Sequence, residues 1–281
     1  VPRRLAVADQ DEAGHWLSLL QTRLVCSDLR ISGNRGENIV AIVRQTLVYD
    51  GPGGPFEGVI AYEDEVETPR PGVLVIPNVL GQKESDTVNA ENLAKLGYVG
   101  FVCDVFGQGR RKTRESDNVA EYMNELNADR ALLRDRLAAS LNVLKGFGHV
   151  DAGKTAALGY CFGGKCALDM ARAGLDILGA VSFHGVYDRP DYANVAPIAA
   201  KLLVCHGWDD PIAPPEAVTA LGKELTDSGA DWQIHAYGNA AHAFTDIELK
   251  GAKTSPGIAY DARADRRSWK AMQDFLAELF I

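Results

Sequence analysis

The sequence has no run of about 18 apolar residues, so nothing in it reads as a membrane-spanning helix. It also lacks basic excess. Lys and Arg number 29 against 38 Asp and Glu, and the formal net charge of −9 disfavours nucleic acid and acidic membrane surfaces as partners. The one basic cluster, RRKTR at 110–114, is too short to reverse that balance and reads as a solvated turn. No CxxC pair occurs among Cys26, Cys103, Cys161, Cys166 and Cys205, which speaks against a zinc knuckle or a thioredoxin-type redox motif. An odd cysteine count does not suit a secreted disulfide framework, and the opening VPRRLAVADQ lacks the apolar core of a signal peptide. A cytoplasmic protein with no metal and no cofactor is therefore expected.

What is present is ample material for a core: 46% hydrophobic residues over 281 positions, with 24% charged. Residues 1–40 differ in character from the rest. HWLSLLQTRLV (15–25) has the spacing of a short amphipathic helix and SGNRGEN (32–38) reads as open loop, so 1–40 is expected to be an extension without catalytic content, whether a regulatory appendage, a leader or an added sequence. Residues 41–281 then form one domain. RQTLVYD and FEGVIAYE, separated by GPGGP, predict an antiparallel strand pair. GVLVIPNV predicts a buried strand, followed by a helix with Val88, Leu93 and Leu96 on one face and a stop at Gly97. Strands YVGFVCDV, KTAALGY, ILGAVSFHG, KLLVCHG and DWQIHAYG follow. They alternate with helices over 117–146 (stripe Leu133, Leu137, Leu141, Leu144), CFGGKCALDMARAG, PPEAVTALGKELTDSG and 261–281. That alternation predicts a mostly parallel sheet of about eight strands with helices on both faces.

GYCFGG (159–164) falls between a predicted strand and a predicted helix. Gly-x-Cys-x-Gly-Gly there has the form of a nucleophile elbow, in which the reactive side chain sits on a strained turn above the sheet. Gly159 and Gly163 would let strand and helix approach closely. The backbone N–H of Phe162 would lie at the helix N-terminus, where unpaired donors and the dipole favour an anion. The hexapeptide does not match the dinucleotide fingerprint GxGxxG. Read blandly, Cys161 is a small buried hydrophobe, which is how Cys166 on the same helix is read. What tips the balance is the remainder of the chain. A cysteine nucleophile needs a base, and the base an orienter. HGWDDPIAPPEA (206–217) carries acids after one strand, and GNAAHAFTD (238–246) carries His242 after the next. Both loops belong to the sheet edge where open α/β sheets place their sites. Spacing does not separate Asp209 from Asp210.

From about Ile42 onward the chain resembles the dienelactone hydrolase family, on the stretches GYCFGG, GWDDPIAP and AAHAFTD in that order. The resemblance implies an α/β-hydrolase fold without a separate cap domain and a triad of Cys161, His242 and Asp210, the last from the family's G-x-x-D pattern. It also implies an oxyanion hole made by the backbone N–H groups of Phe162 and Val79. It is incomplete in three places. The enzyme that gives the family its name has a glutamate where this chain has Asn78, and two arginines for a substrate carboxylate where it has Gln108 and Asp246. The expected activity is therefore metal-independent hydrolysis of a small neutral ester or lactone, of activated or aryl type, through an acyl-cysteine. Phosphotriester hydrolysis at the same site, a non-catalytic binding protein and a redox sensor at Cys161 are the alternatives. Asn78, Phe106, Gln108, His184, Trp208 and Phe244 flank the proposed loops and are the candidate pocket residues.

Overall fold

The structure, a computed structural model, describes residues 23–35, 38–192, 197–252 and 255–281, with side chains from Ala41 onward. One sheet of nine strands organises the chain. Strands β1 (Arg23–Arg35), β2 (Asn38–Tyr49) and β3 (Phe56–Glu63) run antiparallel to one another. The remaining strands are β4 (Arg70–Ile76), β5 (Val99–Val102), β6 (Val150–Tyr160), β7 (Gly179–Phe183), β8 (Lys201–Gly207) and β9 (Trp232–Tyr237). They are parallel to one another, in the overall order β1-β2-β3-β5-β4-β6-β7-β8-β9. The exchange of β4 and β5 puts β4 beside β6, which brings the loops after those two strands together at one sheet edge.

The chain's N-terminal part departs from expectation. Residues 23–35 and 38–40 belong to an antiparallel strand pair at the sheet edge, with Arg35 opposite Asn38, so the boundary placed at residue 40 falls inside β2; of the open loop expected over 32–38, residues 32–35 and 38 are strand and 36–37 lie outside the described residues. Of the helix expected over 15–25, residues 15–22 lie outside the described residues and 23–25 are strand. Edge strands carry polar residues that blunt further pairing, and the same composition reads as loop.

Period-two alternation in the strands feeds two cores. On one face Leu74 and Ile76 of β4 meet helix α3 (Arg130–Gly146), α4 (Phe162–Arg172) and α5 (Pro215–Asp227). On the other, Val73 and Val75 meet α1 (Glu84–Lys95) and α6 (Ala262–Leu279). The long helix expected over 117–146 is two helices. Short α2 (Glu121–Ala128) ends at Asp129, whose carboxylate caps α3 by accepting from the Leu132 N–H at 2.9 Å. The Leu133, Leu137, Leu141 and Leu144 stripe is buried as predicted. Of the α1 stripe only Leu93 is buried, together with Ala90 and Ala94, whereas Val88 and Leu96 are exposed. Small residues there let α1 lie against Gly100 of β5, where an added Cβ would come within 2.6 Å of the Ala90 carbonyl oxygen. No helix among the described residues is long and apolar enough to cross a membrane. Helices α1 to α5 lie in the links between parallel strands and α6 follows β9; among the described residues no cap domain is inserted.

Candidate active site

Strand β6 delivers the chain to Cys161 at the sheet's edge, and α4 begins at the next residue. Cys161 has φ 56° and ψ −114°, a conformation L-residues avoid. Three hydrogen bonds hold it there: its N–H donates to the Phe183 carbonyl at 3.0 Å, and its own carbonyl accepts from Gly164 and Lys165 at 3.0 and 3.2 Å. The turn closes because β6 and α4 touch backbone to backbone. A Cβ on Gly159 would lie 2.1 Å from the Gly163 carbonyl oxygen, and one on Gly163 would lie 2.1 Å from that of Ile76. Thus the cysteine is forced outward, partly exposed, at the positive end of the α4 dipole.

The loop after β4 supplies the facing wall. Asn78 shapes it: its side-chain oxygen accepts from the Leu80 N–H at 2.9 Å and its carbonyl from Gly81 at 3.0 Å. One lone pair of the carboxamide oxygen is thereby engaged by its own turn. Among the described residues neither the Val79 nor the Phe162 N–H donates to another group of the chain, which leaves both available to an oxyanion.

Asp210 and His242 are brought together from the loops after β8 and β9. Asp210 Oδ1 accepts from Ile212 N–H at 2.8 Å and Ala213 N–H at 3.3 Å, while Oδ2 meets His242 Nδ1 at 2.7 Å. Both side chains are buried, whereas Asp209 is exposed; the geometry separates what spacing could not. The histidine's backbone is clamped between Gly257 and Ala259 by bonds of 2.9 and 3.0 Å, and Pro211 packs on Gly257. Burial by itself lowers the His242 pKa, but the Asp210 hydrogen bond and the neighbouring Cys161 outweigh it and raise it to about 10. Nε2 is buried and carries no hydrogen bond of ordinary geometry; Cys161 is the side chain beyond Asp210 that acts on it.

The pocket expectations fare differently. Phe106 and Phe244 are 1% and 0% exposed, so both are core residues, and Phe106 stacks on the equally buried Phe162 at 5.8 Å. His184 is also enclosed, behind His242. Gln108 is exposed and turned toward Glu57 at 3.1 Å. Trp208, 47% exposed beside the acid loop, is the one aromatic of the set with free surface. Nor is RRKTR a free solvated turn. Arg110 pairs with Glu125 and lies 4.1 Å over the Tyr122 ring, Arg111 pairs with Glu57 at 2.9 Å, and Arg114 joins Lys83 on Asp246. Lys83, Arg114 and Thr245 escaped sequence reasoning. Arg114 and Asp246 lie 132 residues apart, and no local pattern links such partners.

Comparison with known proteins agrees with this arrangement. The model of the dienelactone hydrolase family matches residues 56–280, and the chain belongs to that family. A protein of Yersinia pestis provisionally named a carboxymethylenebutenolidase is 27% identical over 238 residues, 80% of this chain and 85% of its own length. An uncharacterised Caenorhabditis elegans protein is 39% identical over 155 residues, 53% of this chain and 94% of its own. Among solved structures, a dienelactone hydrolase-like promiscuous phosphotriesterase from metagenomic libraries is 33% identical with a TM-score of 0.77, over 85% of this chain and 99% of that one. The fold is that of the α/β-hydrolases, and the protein is a hydrolase of the lactone- and ester-cleaving kind.

Proposed function

We propose that the protein hydrolyses small neutral carboxylic esters or lactones, with aryl and other activated esters favoured, through a covalent acyl-cysteine at Cys161. The observation that carries this reading is the meeting of a thiol at φ 56° with two unengaged amides and a buried Asp210–His242 pair of 2.7 Å. The Cys161 sulfur attacks the carbonyl carbon, its proton held by His242 Nε2, and the resulting oxyanion accepts from the Phe162 and Val79 N–H groups. Collapse breaks the C–O bond, and the departing alkoxide or phenoxide takes the proton from His242. Water then gives a proton to His242 and attacks the thioester; the C–S bond breaks, releasing the acid and restoring the thiol. Asp210 holds the imidazole by Nδ1 throughout.

The preference for a neutral substrate follows from the charges around the loops. Gln108 is turned to Glu57, Arg110 and Arg111 are each occupied by a glutamate, and Lys83 and Arg114 converge on Asp246. A substrate carboxylate would have to open one of these pairs. An exposed pair costs up to ~1 kcal/mol to separate, about a fivefold loss in affinity at most. A neutral aryl acetate should accordingly show a kcat/KM up to about fivefold above that of a dienelactone carboxylate. A higher value for the carboxylate would defeat the neutral-substrate reading.

Turnover of neutral aryl phosphotriesters is a second activity of the same thiol, supported by the promiscuous phosphotriesterase that is 33% identical to this chain. A phosphoryl oxygen gathers charge as a carbonyl oxygen does and would use the same two amides.

A further inference from the structure

His184 directly follows β7 and has a left-handed conformation, φ 38°, that few non-glycine residues adopt. Its side chain is 2% exposed and sits edge-on to the His242 ring, with centroids 5.2 Å apart and planes at 70°. Phe244 closes the other side at 5.1 Å and 81°. Nε2 lies 2.8 Å from Thr245 Oγ1, while Nδ1 is buried without a partner.

These contacts answer a question that the Asp210 hydrogen bond leaves open. The Nδ1 bond and the clamped backbone hold one edge of the His242 ring, while Nε2 on the far edge has Cys161 beside it without a hydrogen bond of ordinary geometry. We propose that His184, locked by Thr245, is the positioning residue that sets the orientation of the His242 ring and keeps Nε2 aimed at Cys161. This inference rests on the reading of Cys161 and His242 as nucleophile and base.

The chemistry favours a neutral His184. Burial lowers its pKa well below the usual value, and the two charged or titratable groups acting on it, His242 and Lys83, both oppose a second cation. Of the two neutral tautomers, the one protonated at Nε2 donates to Thr245 and leaves only a bare lone pair at Nδ1; the other would bury an unpaired N–H. Thr245 also borders a small cavity with Asn89, Asp265 and Ser268, so its hydroxyl proton can turn that way and offer a lone pair to His184. The result is an uncharged wall that does not compete with His242 for protons and excludes water from one side of it.

The test uses the full chain and three variants. Thr245→Val removes the acceptor and little volume, Thr245→Ser keeps it, and His184→Ala removes ring and bond together. With a neutral aryl acetate, Thr245→Val should lower kcat about 5- to 10-fold with KM within about twofold, His184→Ala about 100-fold, and Thr245→Ser less than about twofold. The His242 titration, followed by NMR with labelled histidine, should move by about half a pH unit or more in Thr245→Val and stay in place in Thr245→Ser. An unchanged titration and kcat in Thr245→Val would overturn the proposal and reduce His184 to packing. If His184→Ala does not fold, the Thr245 pair still decides. If the wild-type protein turns over no ester, the catalytic reading fails by itself, and the titration still reports whether His184 and Thr245 position His242.

Discussion

Replacing Cys161 by alanine is expected to lower neutral-ester turnover by about 10⁴-fold or more while leaving the fold intact. Aryl phosphotriester turnover should vanish with it, since the proposed route gives both reactions to one sulfur. The size follows from the covalent route: without the thiol no acyl-enzyme forms, and the oxyanion amides and the Asp210–His242 pair are left to assist water alone. Stability should respond differently. Cys161 is held at φ 56° and ψ −114°, and its side chain faces partly outward, so truncation removes little packing. Glycine at 161 would relieve the backbone and should stabilise the chain by ~1 kcal/mol, the strain of a disfavoured conformation less the entropy glycine gains on unfolding. A variant that is more stable and inactive is what a site built on strain predicts. Denaturant unfolding beside the ester assay reads both effects.

Adding one methyl group at Gly163 should have a large effect on folding. Its Cβ would lie 2.1 Å from the Ile76 carbonyl oxygen and 2.6 Å from that of Pro77, and both neighbours are backbone. Ile76 ends β4, which is hydrogen-bonded on both sides in the middle of the sheet, so it cannot give way without disturbing β5 and β6. The start of α4 must move instead, and with it the Phe162 amide. Gly163→Ala should therefore cost more than about 4 kcal/mol, beyond the range of ordinary substitutions, and leave little soluble protein. Gly146 at the end of α3 is the control. Nothing lies within 4 Å of a Cβ built there, and alanine should stabilise by up to ~1 kcal/mol. Urea midpoints of the two variants check the pair; a Gly163→Ala protein as stable as wild type would mean that the backbone crossing is not tight.

Much of this was legible in the sequence, and the reason is local. GYCFGG announces its turn because close backbone crossing requires glycines at fixed offsets from the cysteine. The strand pair around GPGGP and the alternation of strands and helices announce themselves through turn chemistry and apolar period. Asp210 could be preferred to Asp209 only by resemblance, because both precede the same proline; in three dimensions one points to His242 and the other to solvent. Aromatic residues at loop ends do not declare which way they face, so Phe106 and Phe244 passed for pocket walls while being core. The basic segment 110–114 looked solvated because the acids that hold it, Glu57, Glu125 and Asp246, are distant in the chain. His184 was singled out, but its partner Thr245 is 61 residues away, and the strained backbone that aims it leaves no trace in composition.

The central claim is that Cys161 carries the acyl group. Its most direct test is rapid acid quench of the protein during turnover of an aryl acetate, followed by intact mass and peptide mapping. The account predicts a single acetyl adduct on the peptide containing Cys161, lost in Cys161→Ala and prevented by prior alkylation of that thiol with iodoacetamide. Steady turnover with no adduct, or an adduct on another residue that survives Cys161→Ala, would contradict it.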